Sequence, residues 1–261
     1  MQTDTNRLTA RIARTPEEIA AAQRLRYRVF VEEMGARPSP EDAALRLERD
    51  PFDPYVDHLV LIDNALAGDP LDRVVGVYRL MRDDVARAGI GFYSATEYDL
   101  GPLLASGRRM LELGRSCVHP DYRGGLAMHL LWSALGDYVV RHGIEIMFGT
   151  ASFHGNDPGP LAEPLSYLWH HHLAPPELRV RALPGHHVEM NRMPAEAVDR
   201  LRALRAVPAL IKAYLRLGGF VGDGAYVDPV FNTVDVFLVM DTQRMAARYR
   251  DYYGRTREAA R

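Results

Sequence analysis

One cysteine, one lysine and two tryptophans are all that this 261-residue chain holds of those three types. Cys117 is alone, which excludes an internal disulfide framework and suits a reducing cytoplasm. Lys212 is alone too, so the basic charge is almost all arginine and Schiff-base lysine chemistry has little to build on. No apolar run approaches the roughly 20 residues of a membrane span. The opening residues 1–7 have no apolar core behind them, so no secretory leader is expected. Neither sign of charge dominates: 32 Lys and Arg stand against 34 Asp and Glu, for a net charge of −2. That balance argues against a general nucleic-acid binder. Internal repeats and low-complexity linkers are missing as well. What is present, 47% hydrophobic and 25% charged residues, suits one large α/β domain over residues 1–261.

Residues 8–13 alternate at period two and read as a strand. Thr15-Pro16-Glu17-Glu18 resembles a helix cap with proline in the first turn. Ile19, Ala22, Leu25, Val29 and Phe30 then recur at helical spacing. A short helix is expected over 41–49, a strand hairpin over 58–63 and 73–81, and another short helix over 95–105. Residues 109–118 read as a strand, 119–125 as a loop, 126–142 as an amphipathic helix closed by Gly143, and 144–151 as a strand. That succession is a βαβ-type crossover. Helices follow over 161–173, 195–206 and 208–217, then a last strand over 234–240 and a closing helix over 242–253. The helical section, about 155–220, reads as an insertion before the last strand.

The loop in that crossover has the chemistry of an anion site. Val118-His119-Pro120-Asp121-Tyr122-Arg123-Gly124-Gly125-Leu126-Ala127 joins a strand to a helix N-terminus, where glycines admit a ligand to the backbone and free amides favour phosphate. It lacks a Walker lysine and does not read GxGxxG. A plain strand-to-helix turn without a ligand fits the loop equally well by itself. The loop resembles the acyl-donor loop of GNAT-type N-acyltransferases. The resemblance implies an α/β fold with a mixed central sheet and flanking helices. It also implies donor phosphopantetheine held at Val118, Arg123, Gly124, Gly125, Leu126 and Ala127.

Four further pieces stand in order: Arg26-Tyr27-Arg28-Val29-Phe30, Asp50-Pro51-Phe52-Asp53, Gly76-Val77-Tyr78-Arg79 and Glu112-Leu113-Gly114-Arg115. Together they resemble the signature of acyl-homoserine lactone synthases, although the tryptophan expected after the first piece is replaced near Ala36. The second half departs from that branch. Residues 165–175, 178–183, 208–218 and 228–235 resemble the L-ornithine Nα-acyltransferases of ornithine-lipid synthesis, so that the match spans roughly residues 8 to 241. This implies transfer of a 3-hydroxyacyl chain from acyl carrier protein to the α-amine of L-ornithine, giving lyso-ornithine lipid. It implies no permanently bound cofactor, the acyl-phosphopantetheine of the carrier being the donor.

The residues suit such aminolysis. A protonated amine must lose a proton to attack, and Glu112, a carboxylate inside an apolar strand, is the candidate base. An amine attacks a thioester directly, so no nucleophilic Cys117 is needed; a small apolar role suits that residue better. Asp50 and Asp53 are candidates to hold the cationic groups of ornithine, against the plain alternative of a polar Asx turn. Arg26, Arg79 and Arg115 are candidates to pair with those acids and with the substrate carboxylate, and structural ion pairing alone is equally allowed. Phe30 joins them by resemblance, although packing is its simpler reading. Glu112 and Arg115 lie three apart, so a regular strand aims them to opposite faces; Gly114 between them marks an expected bulge over 113–116. His170-His171-His172 does not suit one metal ion, because successive helical residues point about 100° apart.

The carrier is acidic, so Arg108, Arg109, Arg123, Arg141 and the arginine-rich tail 242–261 are candidates for its docking. A cytoplasmic protein with peripheral contact to the membrane is expected, with residues 208–217 as one candidate contact. Competing readings are an acyltransferase acting on glycine, lysine or tyrosine, and a non-catalytic module that binds acyl carrier or lipid.

Overall fold

The computed structural model describes residues 7–245. In chain order these form β1 (Leu8–Ile12), α1 (Pro16–Arg26), α2 (Pro40–Leu45), β2 (Asp57–Asp63), β3 (Val74–Arg82), α3 (Asp83–Ala88), β4 (Tyr98–Asp99), α4 (Gly101–Ala105), β5 (Met110–Val118), α5 (Gly125–His142), β6 (Ile146–His154), α6 (Ala162–His172), β7 (Arg181–Ala182), β8 (His187–Val188), α7 (Arg200–Ala206), α8 (Ala209–Arg216), β9 (Phe220–Asp228) and β10 (Thr233–Asp241). They group into two compact units. The first holds residues 7–90 and 113–142, and the second 91–112 and 143–245. Strand β5 gives its first three residues to the second unit and the rest to the first.

In the first unit the strands lie in the order β1-β2-β3-β5. β2 pairs antiparallel with both β1 and β3, which makes the expected hairpin. Almost every residue of β2 and β3 is buried, because helices cover both faces. Val60, Ile62, Val74 and Val77 pack with Ala21, Ala22 and Leu25 of α1. On the other face α5 approaches so closely that a Cβ at Gly76 would lie 3.0 Å from Leu131, and the paired strand residue Leu61 would stand 3.2 Å away. Thr15 caps α1 by accepting from the Glu18 amide, with Pro16 opening the helix. The helix does not stop at Arg26: it widens into a π-helical stretch, Tyr27–Glu33, a form that often marks functional segments and has no sequence signature. α2 ends at Leu45, earlier than expected, because Arg46 turns left-handed at φ 53°. Gly143, at φ 61°, ends α5 as expected.

In the second unit the order is β5-β6-β10-β9-β7-β4, with β8 on β9. β5 and β6 are parallel, and their ladder joins Met110–Glu112 to Ile146–Phe148. β10 runs antiparallel to β6 along its whole length. Two expectations are corrected here. Residues 95–105 are not one helix: a 3₁₀ turn (Tyr93–Thr96), β4 and the short α4 divide them, since Tyr98 and Asp99 pair with Ala182 and Arg181 and the new helix opens on Gly101-Pro102. The helical section after β6 is present as α6, α7 and α8, but it ends in a strand the sequence pattern hides. β9 carries Gly222 and Gly224, and the β9–β10 register slips there. A Cβ at Gly224, which sits at φ +83°, would fall 2.5 Å from His187 Nε2. Of the expected closing helix, residues 242–245 form a turn; the remainder lies outside the described residues. No helix among the described residues is long and apolar enough to cross a membrane.

Candidate active site

In the first unit, α1, the turn after α2, β3 and β5 bring five of the expected residues into one buried network. Arg26 at the end of α1 is fully buried. Its guanidinium donates to Glu48 and, at 2.7 Å, to Asp53. Arg79 from β3 donates to Asp50, lies 3.4 Å from Asp53, and has its guanidinium carbon 5.6 Å from the centroid of the Phe52 ring. Arg115 donates to Glu48 at 3.2 Å and to Asp50 at 2.9 Å. Gln23 donates to Asp53 at 2.9 Å. Three guanidiniums therefore meet three carboxylates away from water, where an unmatched charge is costly. Glu48, which bridges Arg26 and Arg115, was not among the expected residues. Its only sequence signal is a position two residues before Asp50.

The electrostatics follow from that pairing. Burial pushes the Asp53 carboxyl up, but the charge and hydrogen bond of Arg26, with Arg79 behind, outweigh it and hold the group at about 2. Glu48 and Asp50 are lowered too, their arginines outweighing burial. His58, whose Nε2 lies 3.1 Å from the Asp53 carbonyl, is lowered by burial. Asp50 and Asp53 thus each accept from these arginines. Asp50 also accepts from the Phe52 amide at 2.8 Å, which is the Asx turn weighed above. Phe30 lies in the π-helical stretch and packs against the α1 core. Cys117 is buried in that core, and burial pushes its thiol well up, which suits an apolar role.

Irregularity in β5 sits one residue beyond Gly114. Arg115 itself takes the left-handed conformation, φ 50°, and so breaks the pleat within the expected 113–116. A Cβ on Gly114 would make ordinary contact with Arg79, 3.7 Å from Nε. After β5, Val118 is buried and its carbonyl accepts from Arg123 Nε at 3.1 Å, while the rest of that guanidinium takes Glu33 in two 2.5 Å bonds. Tyr122 donates to Asp63 at 2.6 Å. α5 begins at Gly125, with Leu126 half exposed and Ala127 buried. Neither Gly124 nor Gly125 has any atom within 4 Å of where a Cβ would stand, so the loop backbone is open there.

In the second unit Glu112 is 5% exposed, and its carboxylate accepts from the amides of Tyr93 at 2.9 Å and Ser94 at 2.6 Å. It therefore anchors the 3₁₀ turn that leads into Glu97. Arg108 donates to Asp241 through two 2.8 Å bonds, and His170 bonds the Met193 carbonyl while His171 and His172 lie against Tyr167. Ile211 and Tyr214 of α8 are buried.

The comparisons agree with this picture. Residues 25–133 match the acetyltransferase (GNAT) domain model. A solved N-acyl amino acid synthase from uncultured soil microbes, 13% identical, superposes with a TM-score of 0.53 over 91% of this chain and 92% of its own, which shows a shared fold. The L-ornithine N(alpha)-acyltransferase of Brucella abortus is 47% identical over 95% of this chain and 89% of its own length. That of Rhodobacter capsulatus is 60% identical over 94% of each. At that identity and coverage, this chain belongs to the L-ornithine Nα-acyltransferase family.

Proposed function

We propose that the enzyme moves a 3-hydroxyacyl chain from the phosphopantetheine of acyl carrier protein to the α-amine of L-ornithine, giving lyso-ornithine lipid. The observation that carries this reading is 60% identity, along nearly the whole chain, to an enzyme named for acylating ornithine. The α-amine nitrogen attacks the thioester carbonyl carbon. Glu112 takes the proton the amine loses, the carbon–sulfur bond breaks, and the proton passes to the departing pantetheine sulfur. No permanently bound cofactor takes part.

Val118, Arg123, Gly124, Gly125, Leu126 and Ala127 hold the donor arm, supported by an open backbone at both glycines. Arg26, Phe30, Asp50, Asp53, Arg79 and Arg115 form the substrate-binding group, with the acids orienting the arginines. Residues 1–261 serve as a single acyltransferase domain in the cytoplasm. Arginines such as the exposed Arg141 meet the acidic carrier, and the lysolipid product brings the enzyme to the membrane surface.

Mass spectrometry of lipids from a host that lacks ornithine lipids, expressing this chain, tests the reading. Lyso-ornithine lipid carrying a 3-hydroxyacyl chain is the expected product. Acylated glycine, lysine or tyrosine instead would replace the acceptor, and a protein that binds acyl carrier without turnover would leave a binding module.

A further inference from the structure

Arg123, in the loop proposed to hold the donor arm, has its guanidinium fixed by a neighbouring helical stretch. A guanidinium carries five N–H donors. Nε gives its one to the Val118 carbonyl at 3.1 Å, and the two amino nitrogens give one each to the Glu33 carboxylate at 2.5 Å. Two N–H groups are left over, without a protein acceptor among the described residues. The pair is open to water, with 44% of the Arg123 side chain and 41% of the Glu33 side chain exposed. An ion pair that exposed contributes little to stability.

Other contacts set the loop itself. Tyr122 donates to Asp63 at 2.6 Å, and the buried Asp63 carboxylate also accepts from Arg7 and from the Ala65 amide, both at 2.9 Å. The His119 amide donates to the Val75 carbonyl at 2.9 Å, which ties the start of the loop to β3. Residues 119–122 are thus placed without Glu33, and Gly124 and Gly125 beyond them stay open. Glu33 is the last residue of the π-helical stretch Tyr27–Glu33, which follows directly on Arg26 of the charged network. The i→i+5 turns of a π-helix hold more residues than α-helical turns, so side chains after Arg26 leave the axis at other angles than a regular continuation gives. One run of helix therefore meets the network at Arg26 and the donor loop at Glu33.

We infer that Glu33 is a positioning residue for the acyl donor: its carboxylate fixes the Arg123 guanidinium so that the two remaining N–H groups are presented to the phosphate of the phosphopantetheine arm. The inference rests on the proposed role of the donor loop. A planar guanidinium suits a phosphate, but an arginine side chain is long and, at an exposed site, samples many rotamers. Ordering such a side chain at the moment of binding weakens affinity several-fold. Glu33 orders it beforehand. What Glu33 supplies is direction; the attraction for the anion comes from the open loop amides and the N-terminus of α5.

Steady-state kinetics with purified enzyme, 3-hydroxyacyl-loaded acyl carrier protein and L-ornithine provide the test. Glu33→Gln is expected to raise the KM for the loaded carrier about 3- to 10-fold, with kcat and the ornithine KM little changed. Its melting temperature should move little, since the pair is exposed. Arg123→Ala is expected to raise the same KM at least as far, and adding Glu33→Gln to it should change nothing more, because Glu33 acts through Arg123. A Glu33→Gln variant with an unchanged carrier KM overturns the inference, and one with a lowered KM overturns it by making Glu33 a competitor of the phosphate. An equal rise in the Arg123→Ala background overturns it too, as does a fall in melting temperature with both KM values raised, which reports a structural role. Arg123→Ala with an unchanged carrier KM overturns the donor role of Arg123 itself. A wild-type enzyme that does not acylate ornithine from the carrier overturns the proposed reaction.

Discussion

Two buried groups of acids stand in contrast. Around Arg26, Arg79 and Arg115, the carboxylates of Glu48, Asp50 and Asp53 each meet a guanidinium, and all three acids are shifted down. Around Thr233, the carboxylates of Glu97, Asp228 and Asp235 meet one another. The first group is balanced by the protein and stiffens the frame that carries Arg79 and Arg115. The second brings three buried acids within 4.8 Å of one another. The acids best placed in sequence to hold ornithine, Asp50 and Asp53, belong to the first group. Residue type alone does not separate the two groups; their placement in the fold does.

The largest effect should come from unbalancing the first group. Asp53→Asn leaves Arg26 buried against a neutral amide and is expected to cost about 3–5 kcal/mol of stability, read from urea unfolding. A fully stable variant with a raised ornithine KM would instead return the acid pair to direct acceptor binding and erase the contrast.

Next comes the proposed base, in the same unit as the second group. Glu112→Gln preserves the shape and should reduce kcat by about 10²-fold or more, with acyl-carrier affinity little changed. Near-normal kcat would leave Glu112 as the anchor of the Tyr93–Thr96 turn alone.

A pH series tests the balance of the first group through Asp53. The folded value of Asp53, about 2, lies below its unfolded value near 3.9. The stability it contributes is therefore complete above about pH 4 and is lost as pH falls through about 2, an amplitude on the order of 2 kcal/mol. Unfolding midpoints measured down this range should fall for wild type and less steeply for Asp53→Asn; equal slopes would deny Asp53 its place in the balance.

The smallest expected stability change belongs to the donor loop, which lies outside both groups. Gly124→Val or Gly125→Val finds open space in the protein itself, so the melting temperature should move little. Turnover with acyl carrier protein should drop about tenfold or more as the side chain occupies the ground of the pantetheine arm. Unchanged turnover would remove the loop from the donor site.

Local pattern carried much of the architecture. The apolar runs 58–63 and 73–81, the Thr15-Pro16 cap, the glycine loop and the amphipathic run to Gly143 each reappear as strand, capped helix, turn and α5, because near neighbours dictate those elements. Where long-range pairing decided, local pattern failed. Two glycines disguised β9, whose bulge exists only against β10 and His187. The stretch 95–105 was divided because Tyr98 and Asp99 found partners more than eighty residues away. The motif residues Arg26, Asp50, Asp53, Arg79 and Arg115 were legible as a set whose arginines pair with its acids, yet which arginine meets which acid was not, and Glu48 entered unannounced. Asp228, Thr233 and Asp235 fall within the segment 228–235, but Glu97 lies more than 130 residues earlier, so only the fold brings it beside them. The sequence by itself determined which elements form and which family's signature the chain bears, because both reside in neighbouring residues and their order. The tertiary structure alone decided which charges are matched and which converge, because in a protein interior that depends on distance through space.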